Sequence, residues 1–234
     1  MGKKVVAIVQ ARMGSKRLLG KMMMEIKGKP LVFYLLHQLK FSKQIEKVVL
    51  ATSTLAENDS LAEYARRMGI EVFRGSEDDV LGRYLEAARK FKADIIVRIT
   101  GDEPLIDPQI TDDVIKDHLK KKADYTSTKL ERIMSKGVDS EVFSIEVLEK
   151  VGRLAKSDYD REHVTPYIYN HPELFKINAY KPSNPKKIYP LEQRPVVTVD
   201  DANDFNLVKG IIEELFNEKK PILLGDVIKL INKL

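Results

Sequence analysis

The first 21 residues contain an abrupt change of character that limits the folds open to this chain. Val5-Val6-Ala7-Ile8-Val9 is a continuous apolar run rich in β-branched residues. Such a run is typical of a strand that is covered on both faces in a parallel sheet. Residues 11–21 are basic instead and include two glycines. The sequence therefore predicts a buried strand that leads directly into a cationic loop.

The loop has the composition of a polyphosphate-binding segment. Its positive charges come from Arg12, Lys16, Arg17 and Lys21. Its glycines allow backbone N–H groups to approach a ligand closely. The next predicted helix begins near Pro30, so the connection is much longer than the usual few residues. Connections of this length are usually functional or disordered, and the charge of this one suits a polyphosphate.

Two common nucleotide motifs are absent from the loop. A G-x-x-x-x-G-K-[ST] motif does not fit, because the spacing from Gly14 to Gly20 is one residue too long and Met22 follows Lys21. A G-x-G-x-x-G motif is also missing, which argues against an ordinary dinucleotide fold.

Strand and helix patterns alternate four times over the first half of the chain. This alternation predicts a mostly parallel sheet between two layers of helices, an α/β/α sandwich. Residues 76–79 resemble a capping box at the start of one helix. The alternation loosens over about residues 120–190, which we interpret as an excursion from the main sheet, and Val196–Asp200 is predicted to be a last strand before a final helix. We expect one domain over residues 1–234.

Composition excludes several other classes of protein. Cysteine is absent, so disulfides and thiolate chemistry are excluded, and four histidines without an H-E-x-x-H motif argue against zinc chemistry. The net charge of +5 arises from 40 basic and 35 acidic residues that are well mixed, which favours a local cationic site over general polyanion binding. The apolar run at residues 5–9 is too short for a signal peptide or a membrane span, so we expect a cytoplasmic protein without a membrane partner.

Three predicted strands end in polar residues that we expect to meet at one edge of the sheet. The first ends before the cationic loop, another ends at Thr100 before Gly101-Asp102-Glu103-Pro104, and the last ends at Asp200-Asp201. Carboxylates opposite a cationic loop suit a nucleoside triphosphate with Mg²⁺, which binds one or two carboxylates together with phosphate oxygens. A helix cap is the alternative role for Asp200 and Asp201, and a plain turn is the alternative for Asp102.

These segments resemble one known family. Residues 10–21 are similar to the A-R-x-x-S-x-R-L-P-G-K loop of the cytidylyltransferases that activate acidic sugars, with Leu19 in place of the proline. The nearest branch is the spore-coat polysaccharide type, which is related to the acylneuraminate and CMP-Kdo synthetases. Residues 101–104 resemble the G-D-E-P of the CMP-Kdo synthetases, and residues 198–205 resemble the family's T-V-D-T-P-E-D-F.

The resemblance implies a Rossmann-like fold with a mixed sheet and assigns roles to individual residues. It implies Mg²⁺ on Asp102 and Asp200, and charge neutralisation in the reaction by Arg12, Arg17 and Lys21. Other implied nucleotide contacts are Ala11, Met13, Gly14, Ser15 and Thr100. Thr52, after the second predicted strand, is a further candidate for a polar contact, with a plain loop as the equal alternative. Asp79 would read the base by accepting from the exocyclic amine of cytosine, with the helix cap as the equal alternative.

Two stretches of the excursion also match the spore-coat branch and imply an acceptor site. The implied substrate contacts are Asp139, Glu141, Arg161 and His163. For Glu141, Arg161 and His163, an ion-paired surface or a dimer contact is an equally good alternative.

The resemblance thus predicts an enzyme that transfers CMP from CTP to an acidic, sialic-acid-like or Kdo-like sugar and releases pyrophosphate. A polyol phosphate, a phosphonate or a neutral sugar phosphate is the alternative acceptor. A nucleotide- or RNA-binding protein without turnover is the non-enzymatic alternative, supported by a pI of about 9.1. The acidic strand ends and the lack of an aromatic-rich basic stripe argue against nucleic acid.

We also predict a homodimer. Closed two-fold dimers are the commonest oligomers, and the excursion is too long for a simple crossover. The candidate interface residues are Tyr167, Ile168, Tyr169, Phe175 and Ile177. The alternative is that these side chains cover the protein's own sheet.

Overall fold

The computed structural model describes residues 2–184, 190 and 193–233. In this part of the chain the strands are β1 Val5–Gln10, β2 Glu25–Ile26, β3 Lys29–Pro30, β4 Lys47–Ser53, β5 Glu71–Gly75, β6 Ile95–Thr100, β7 Tyr125–Ser127, β8 Glu141–Ser144 and β9 Ile177–Ala179. The α-helices are α1 Leu31–Leu39, α2 Asp59–Arg67, α3 Val80–Lys90, α4 Pro108–Lys121, α5 Ile145–Leu154, α6 Asp158–His163, α7 Pro166–Asn170, α8 Ala202–Leu215 and α9 Leu224–Ile231.

Seven of the described strands form one mixed sheet, in the order β5-β4-β1-β6-β8-β7-β9. The four strands β5, β4, β1 and β6 are parallel to one another, whereas β8 is antiparallel to both β6 and β7. The short strands β2 and β3 form a separate antiparallel hairpin within the long connection after β1. The sheet is therefore mostly parallel around β1, as the sequence predicts.

The apolar run of β1 supplies both faces of the sheet with core residues. Val5, Ala7 and Val9 pack into a core with residues of α1, α4 and α8. Val6 and Ile8 pack into a second core with residues of α3 and α5. Because successive side chains of a strand point to opposite faces, one continuous apolar strand can support two layers of helices. This confirms the predicted three-layer α/β/α class.

The predicted last strand over residues 196–200 is wrong. The segment is extended but belongs to no strand of the sheet. Its hydrogen bonds go to loops, from Val197 N–H to the Lys136 carbonyl and from Val199 N–H to the Asp102 carbonyl, both at 2.8 Å. A Cβ on Gly137, which has φ of +105°, would lie 2.6 Å from the backbone of Val197 and Thr198. The residues have strand-like composition, but they pack against loops.

The region over about residues 120–190 also differs from the expectation. It does not leave the sheet entirely, because its described residues contribute β7, β8 and β9. Residues 185–189 of this region lie outside the described residues. No helix in the described ranges is long and apolar enough to cross a membrane.

Candidate active site

The ends of β1 and β6 bring the cationic loop and Asp102 together. The two strands pair in register, with Gln10 opposite Thr100, and Gly101 N–H donates to the Gln10 carbonyl at 2.8 Å. A Cβ on Gly101 would lie 2.7 Å from the Cβ of Ala11, so this close approach requires glycine. Asp102 follows directly and reaches the cleft that the loop surrounds.

The cleft has a volume of about 430 Å³. Residues of loops, strand ends and helices line the cleft, and they include most of the predicted nucleotide contacts. The lining residues are Gln10, Ala11, Arg12, Gly14, Ser15, Lys16, Arg17, Lys21, Met22, Val80, Arg83, Thr100, Gly101, Asp102, Glu162, His163 and Asp200. We call this space the nucleotide cleft.

The backbone of the loop is folded back on itself around Met13. The Met13 carbonyl accepts from Ser15 N–H at 2.8 Å and from Gly20 N–H at 3.2 Å, and Met13 N–H donates to Asn58 Oδ1 at 2.8 Å. Gly20 has φ of +68°, a conformation that favours glycine. The Met13 side chain packs against the core instead of lining the cleft, and Thr52 is buried outside it. The Met13 backbone therefore organises the loop, and neither the Met13 nor the Thr52 side chain lies in the lining of the cleft.

Carboxylates hold the cationic side chains of the loop in the cleft. Arg12 Nη1 lies 2.7 Å from Glu77 Oε1, and Arg17 Nη2 lies 2.8 Å from Asp200 Oδ1. Burial alone would raise the pKa of Glu77, but hydrogen bonds from Ser53 and Arg12 lower it below its usual value. The carboxylate of Glu77 therefore stays charged and fixes the Arg12 guanidinium.

Lys21 is held more firmly than the other loop cations. Its Nζ donates to the Val199 carbonyl at 2.6 Å and lies 3.8 Å from Asp200 Oδ1, and only 12% of its side chain is exposed. Since Val199 N–H also bonds to the Asp102 carbonyl, this short segment joins Lys21, Asp102 and Asp200.

The two predicted metal ligands lie at the same cleft. Asp102 Oδ1 is buried and has no hydrogen-bond partner among the described residues. Asp200 is paired with Arg17, Lys21 and, at 3.4 Å, with Lys136. The cap alternative belongs to Asp201, whose carboxylate accepts from Asn203 and Asp204 N–H at the start of α8. The described residues contain no group of three or more potential metal ligands.

Asp79 has a structural role that differs from the predicted base contact. It is the N-cap of α3, which begins at Val80 and not at the predicted residue 76, because Oδ1 accepts from Gly82 N–H at 2.9 Å. Oδ2 accepts from Arg161 at 2.5 Å. Asp79 does not line the nucleotide cleft. The cap alternative is therefore the one that the structure favours.

A second cleft, also of about 430 Å³, adjoins the first. Its residues come from the region over residues 120–190 and from β6: Arg98, Tyr125, Lys129, Leu130, Arg132, Glu141, Tyr159, His163, Thr165, Pro166 and Tyr169. We call it the second cleft.

Glu141 forms the base of the second cleft and is saturated with donors. Oε2 accepts from Arg98 and from Lys129 at 3.2 Å, and Oε1 accepts from Tyr125 at 2.5 Å and Thr165 at 2.7 Å. Burial would raise the pKa of Glu141, but the charges of Arg98 and Lys129 with these hydrogen bonds hold it well below its usual value. Glu141 thus orients the cations and has no lone pair left to bind a substrate directly.

The other predicted substrate contacts occupy different positions. Asp139 is buried behind the second cleft, where it accepts from Thr128 at 3.0 Å and from Arg132 at 3.3 Å. Arg161 is tied to Asp79 and lines neither cleft. His163 lines both clefts. Of the four residues, His163 is therefore the best placed to touch a substrate.

Two of the candidate dimer residues belong to the protein's own core. Ile168 and Phe175 are buried beside α3 and α5, and Tyr167 and Ile177 pack against them. This packing favours, for these four side chains, the alternative that they cover the protein's own sheet. Tyr169 remains 38% exposed and lines the second cleft.

The sequence profile of the cytidylyltransferase family matches residues 6–224. The chain belongs to this family. The match spans both clefts and all three motif segments, so the chain is a nucleotidyltransferase and not the non-enzymatic binder that we considered.

Two curated relatives match this cytidylyltransferase over most of their length. An uncharacterized protein of Methanocaldococcus jannaschii is 40% identical over 87% of this chain and 81% of its own. The spore coat polysaccharide biosynthesis protein SpsF of Bacillus subtilis is 31% identical over 98% of this chain and 94% of its own. The 3-deoxy-manno-octulosonate cytidylyltransferase of Trichlorobacter lovleyi is 35% identical over 49% of this chain and 45% of its own length.

A solved cytidylyltransferase from Leptospira borgpetersenii has the same fold over nearly the whole chain. It superposes with a TM-score of 0.90 at 34% identity and covers 99% of this chain and 95% of its own.

Arg83 was not predicted from the sequence, although it lines the nucleotide cleft of this cytidylyltransferase. The residue is buried on α3, and its Nε has no hydrogen-bond partner in the described part of the chain. Burial lowers its pKa, although the charge of Glu77 acts in the opposite direction. The sequence did offer one signal for Arg83. It is an arginine one turn into an amphipathic helix, on the same apolar face as Val80 and Tyr84.

Substitution of Asp79 by alanine should test its structural role. We expect the free energy of unfolding to fall by about 1 kcal/mol, because the cap of α3 is lost. The ratio of CTP to UTP turnover should stay the same. Denaturant unfolding and parallel assays with the two nucleotides measure both quantities, and a collapsed CTP preference would restore the base-reading role.

Proposed function

We propose that this cytidylyltransferase transfers CMP from CTP to a hydroxyl group of an acidic sugar and releases pyrophosphate. CTP would occupy the nucleotide cleft, and the sugar would occupy the second cleft. The observation that carries the proposal is the adjacency of two clefts that share His163 and both contain an excess of cationic side chains. The similarity to SpsF supports a role in surface polysaccharide biosynthesis.

The nucleotide cleft suits a triphosphate because its cations converge from one loop. Arg12, Lys16, Arg17 and Lys21 all line it, and glycines leave backbone N–H groups accessible. Phosphoryl transfer needs little covalent help from a protein, so positioning and stabilisation of developing charge dominate catalysis. Donors that are already fixed, as Lys21 is, stabilise the transition state without reorganising during the reaction.

Asp102 and Asp200 are the residues that would hold Mg²⁺. The unpartnered, buried Oδ1 of Asp102 fits a hard cation, because a buried carboxylate oxygen otherwise lacks compensation. Asp200 would exchange its contacts with Arg17 and Lys136 for the metal and the phosphates. When bound, the ion would neutralise phosphate charge and orient the triphosphate.

The second cleft favours an anionic acceptor. Three cationic side chains and one carboxylate line it, and of these cations Arg98 and Lys129 pair with Glu141, whereas Arg132 pairs with the buried Asp139 at 3.3 Å. Arg132 is 54% exposed and Lys129 is 26% exposed, so both can reach a ligand. A sugar carboxylate is our preferred ligand because one relative acts, by its name, on 3-deoxy-manno-octulosonate. A polyol phosphate or a phosphonate is the alternative acceptor that the test below separates.

Substitution of Lys129 by methionine should weaken acceptor binding selectively. We expect the KM for the acidic sugar to rise about tenfold or more, since one charge-assisted contact is lost. The KM for CTP should not change. Pyrophosphate release measured with 3-deoxy-manno-octulosonate and with N-acetylneuraminate checks this, and Lys120→Met on the exposed side of α4 is the matched control.

The carboxamide of the same sugar sharpens this test. If Lys129 binds the carboxylate, the wild type should discriminate against the amide and Lys129→Met should not. Equal losses for acid and amide in the variant would contradict the acceptor site. Turnover of a polyol phosphate but of neither acidic sugar would show that the acceptor is a polyol phosphate.

The homodimer and the cytoplasmic location remain predictions.

A further inference from the structure

His163 lies where the two clefts meet. It is the last residue of α6, and in the described part of the chain no other side chain lines both the nucleotide cleft and the second cleft. If CTP and the acceptor occupy these clefts, the attacking hydroxyl and the α-phosphate must approach each other near this imidazole. This inference rests on the proposed function and extends it.

The imidazole of His163 is available for a substrate. The side chain is exposed, and none of the described residues forms a hydrogen bond with either of its ring nitrogens. Its ring instead packs edge to face with Tyr159, with the centroids 4.5 Å apart. This contact restricts the ring without using its nitrogens.

The backbone directly after His163 adopts a strained conformation at Val164. Val164 has φ of 73° and ψ of −54°, and Thr165 N–H donates to the His163 carbonyl at 2.9 Å. These values define a γ-turn with positive φ, which is rare and costly for a β-branched residue. Such strain persists only where the surroundings hold it and is concentrated at functional sites.

Contacts on both sides of this turn hold it in place. Val164 is fully buried, and Thr165 donates to the saturated carboxylate of Glu141 at 2.7 Å. Before the turn, Arg161 is paired with Asp79 at the start of α3. These contacts anchor the segment around His163 to the second cleft and to the start of α3.

The nearby carboxylates have other roles, and Asp102, whose Oδ1 has no partner among the described residues, is the carboxylate that would hold Mg²⁺ in our proposal. Glu141 accepts four hydrogen bonds, and Asp200 is paired with cations of the loop and with Lys136. Glu162 Oε1 lies 3.8 Å from the Arg12 guanidinium. The His163 imidazole lines both clefts, and its ring nitrogens bond to none of the described residues, so it is the best-placed proton acceptor at the junction.

We propose that His163 is the general base of the transfer reaction. A ring nitrogen of His163 takes the proton of the acceptor hydroxyl as the oxygen forms its bond to the α-phosphorus of CTP. The bond between the α-phosphorus and the bridging oxygen to the β-phosphorus breaks, and its electron pair leaves with pyrophosphate. The imidazolium then returns the proton to water, so atoms and charge balance over the cycle.

The first test replaces His163 by alanine and measures pyrophosphate release with saturating CTP and 3-deoxy-manno-octulosonate. Loss of a general base should lower kcat on the order of 10²-fold. The Kd for CTP, measured by equilibrium binding, should be unchanged. His171→Ala is the matched control, because His171 is half-exposed beyond both clefts beside Glu173, and its kcat should equal that of the wild type.

Chemical rescue then separates a base from a residue that only fills space. Added imidazole should restore part of the lost kcat of His163→Ala, whereas pyrazole, of the same size but a much weaker base, should not. Unchanged kcat, or rescue by neither or by both compounds, would overturn the proposal. A wild type that releases no pyrophosphate with either acidic sugar would instead contradict the proposed function itself.

Discussion

Substitution of Lys21 by alanine is expected to lower the rate of pyrophosphate release about 10³-fold, the upper range for one fixed donor at a developing charge. The Lys21 ammonium is held by the Val199 carbonyl at 2.6 Å, which fixes its position before any substrate binds. A fixed cation stabilises the transition state more than a mobile one, because no reorganisation is needed during the reaction. The rate should therefore depend on Lys21 more strongly than on the exposed Lys16.

The stability of the Lys21→Ala variant should stay close to that of the wild type. Asp200 keeps its contacts with Arg17 and Lys136, so no buried charge is left without a partner. Lys120→Ala on α4 is the matched control for removal of a lysine. Steady-state kinetics and thermal unfolding measure the two properties. Normal turnover in a folded Lys21→Ala protein would contradict the assignment of the phosphate loop.

The neighbouring pair Asp200 and Asp201 provides the second test, because we propose that Asp200 holds Mg²⁺, whereas Asp201 caps α8. Asp200→Asn should lower Mg²⁺-dependent turnover about 10³-fold, since loss of a metal ligand removes several kcal/mol of charge stabilisation. Asp102→Asn should have an effect of the same size. The Asp201 carboxylate instead caps α8, so Asp201→Ala should reduce the free energy of unfolding by about 1 kcal/mol and leave turnover unchanged.

Titration with Mg²⁺ makes this comparison sharper. The Asp102→Asn and Asp200→Asn proteins should need higher Mg²⁺ to bind CTP, whereas Asp201→Ala should follow the wild-type curve. Equal Mg²⁺ dependence in all three variants would reject the metal site. An effect of Asp102→Asn alone would leave Asp200 as a partner of the loop cations.

The parts of the fold that follow from local patterns could be predicted from the sequence. The apolar run of β1 and the four-residue spacing of Leu31, Leu35 and Leu39 on α1 encode burial directly, and these side chains are buried. The cationic loop also follows from local composition, and its charged residues do line one cleft. In each case the neighbours along the chain determine the environment of the residue.

Contacts between segments that are distant in the sequence could not be predicted. Val196–Asp200 has strand composition, but its partners are the loops at Lys136 and Asp102, which no pattern near residue 196 reveals. The carboxylate of Glu141 meets Arg98 from a different strand and Thr165 from a later turn, so its saturation is invisible in the sequence. For Arg83, the only nearby sequence feature that indicates a place in the cleft is its position on an amphipathic helix. The contacts of side chains that lie between distant segments can therefore be found only from the structure.

Acceptor-dependent release of pyrophosphate from CTP is the measurement that tests the central claim most directly. The purified protein would be mixed with Mg²⁺, each of the four nucleoside triphosphates in turn, and 3-deoxy-manno-octulosonate or N-acetylneuraminate. The account predicts release with CTP only when an acidic sugar is present, together with a product whose mass equals the sugar plus one CMP group. Release that needs no acceptor, or that is absent with CTP and every acidic sugar, would contradict it.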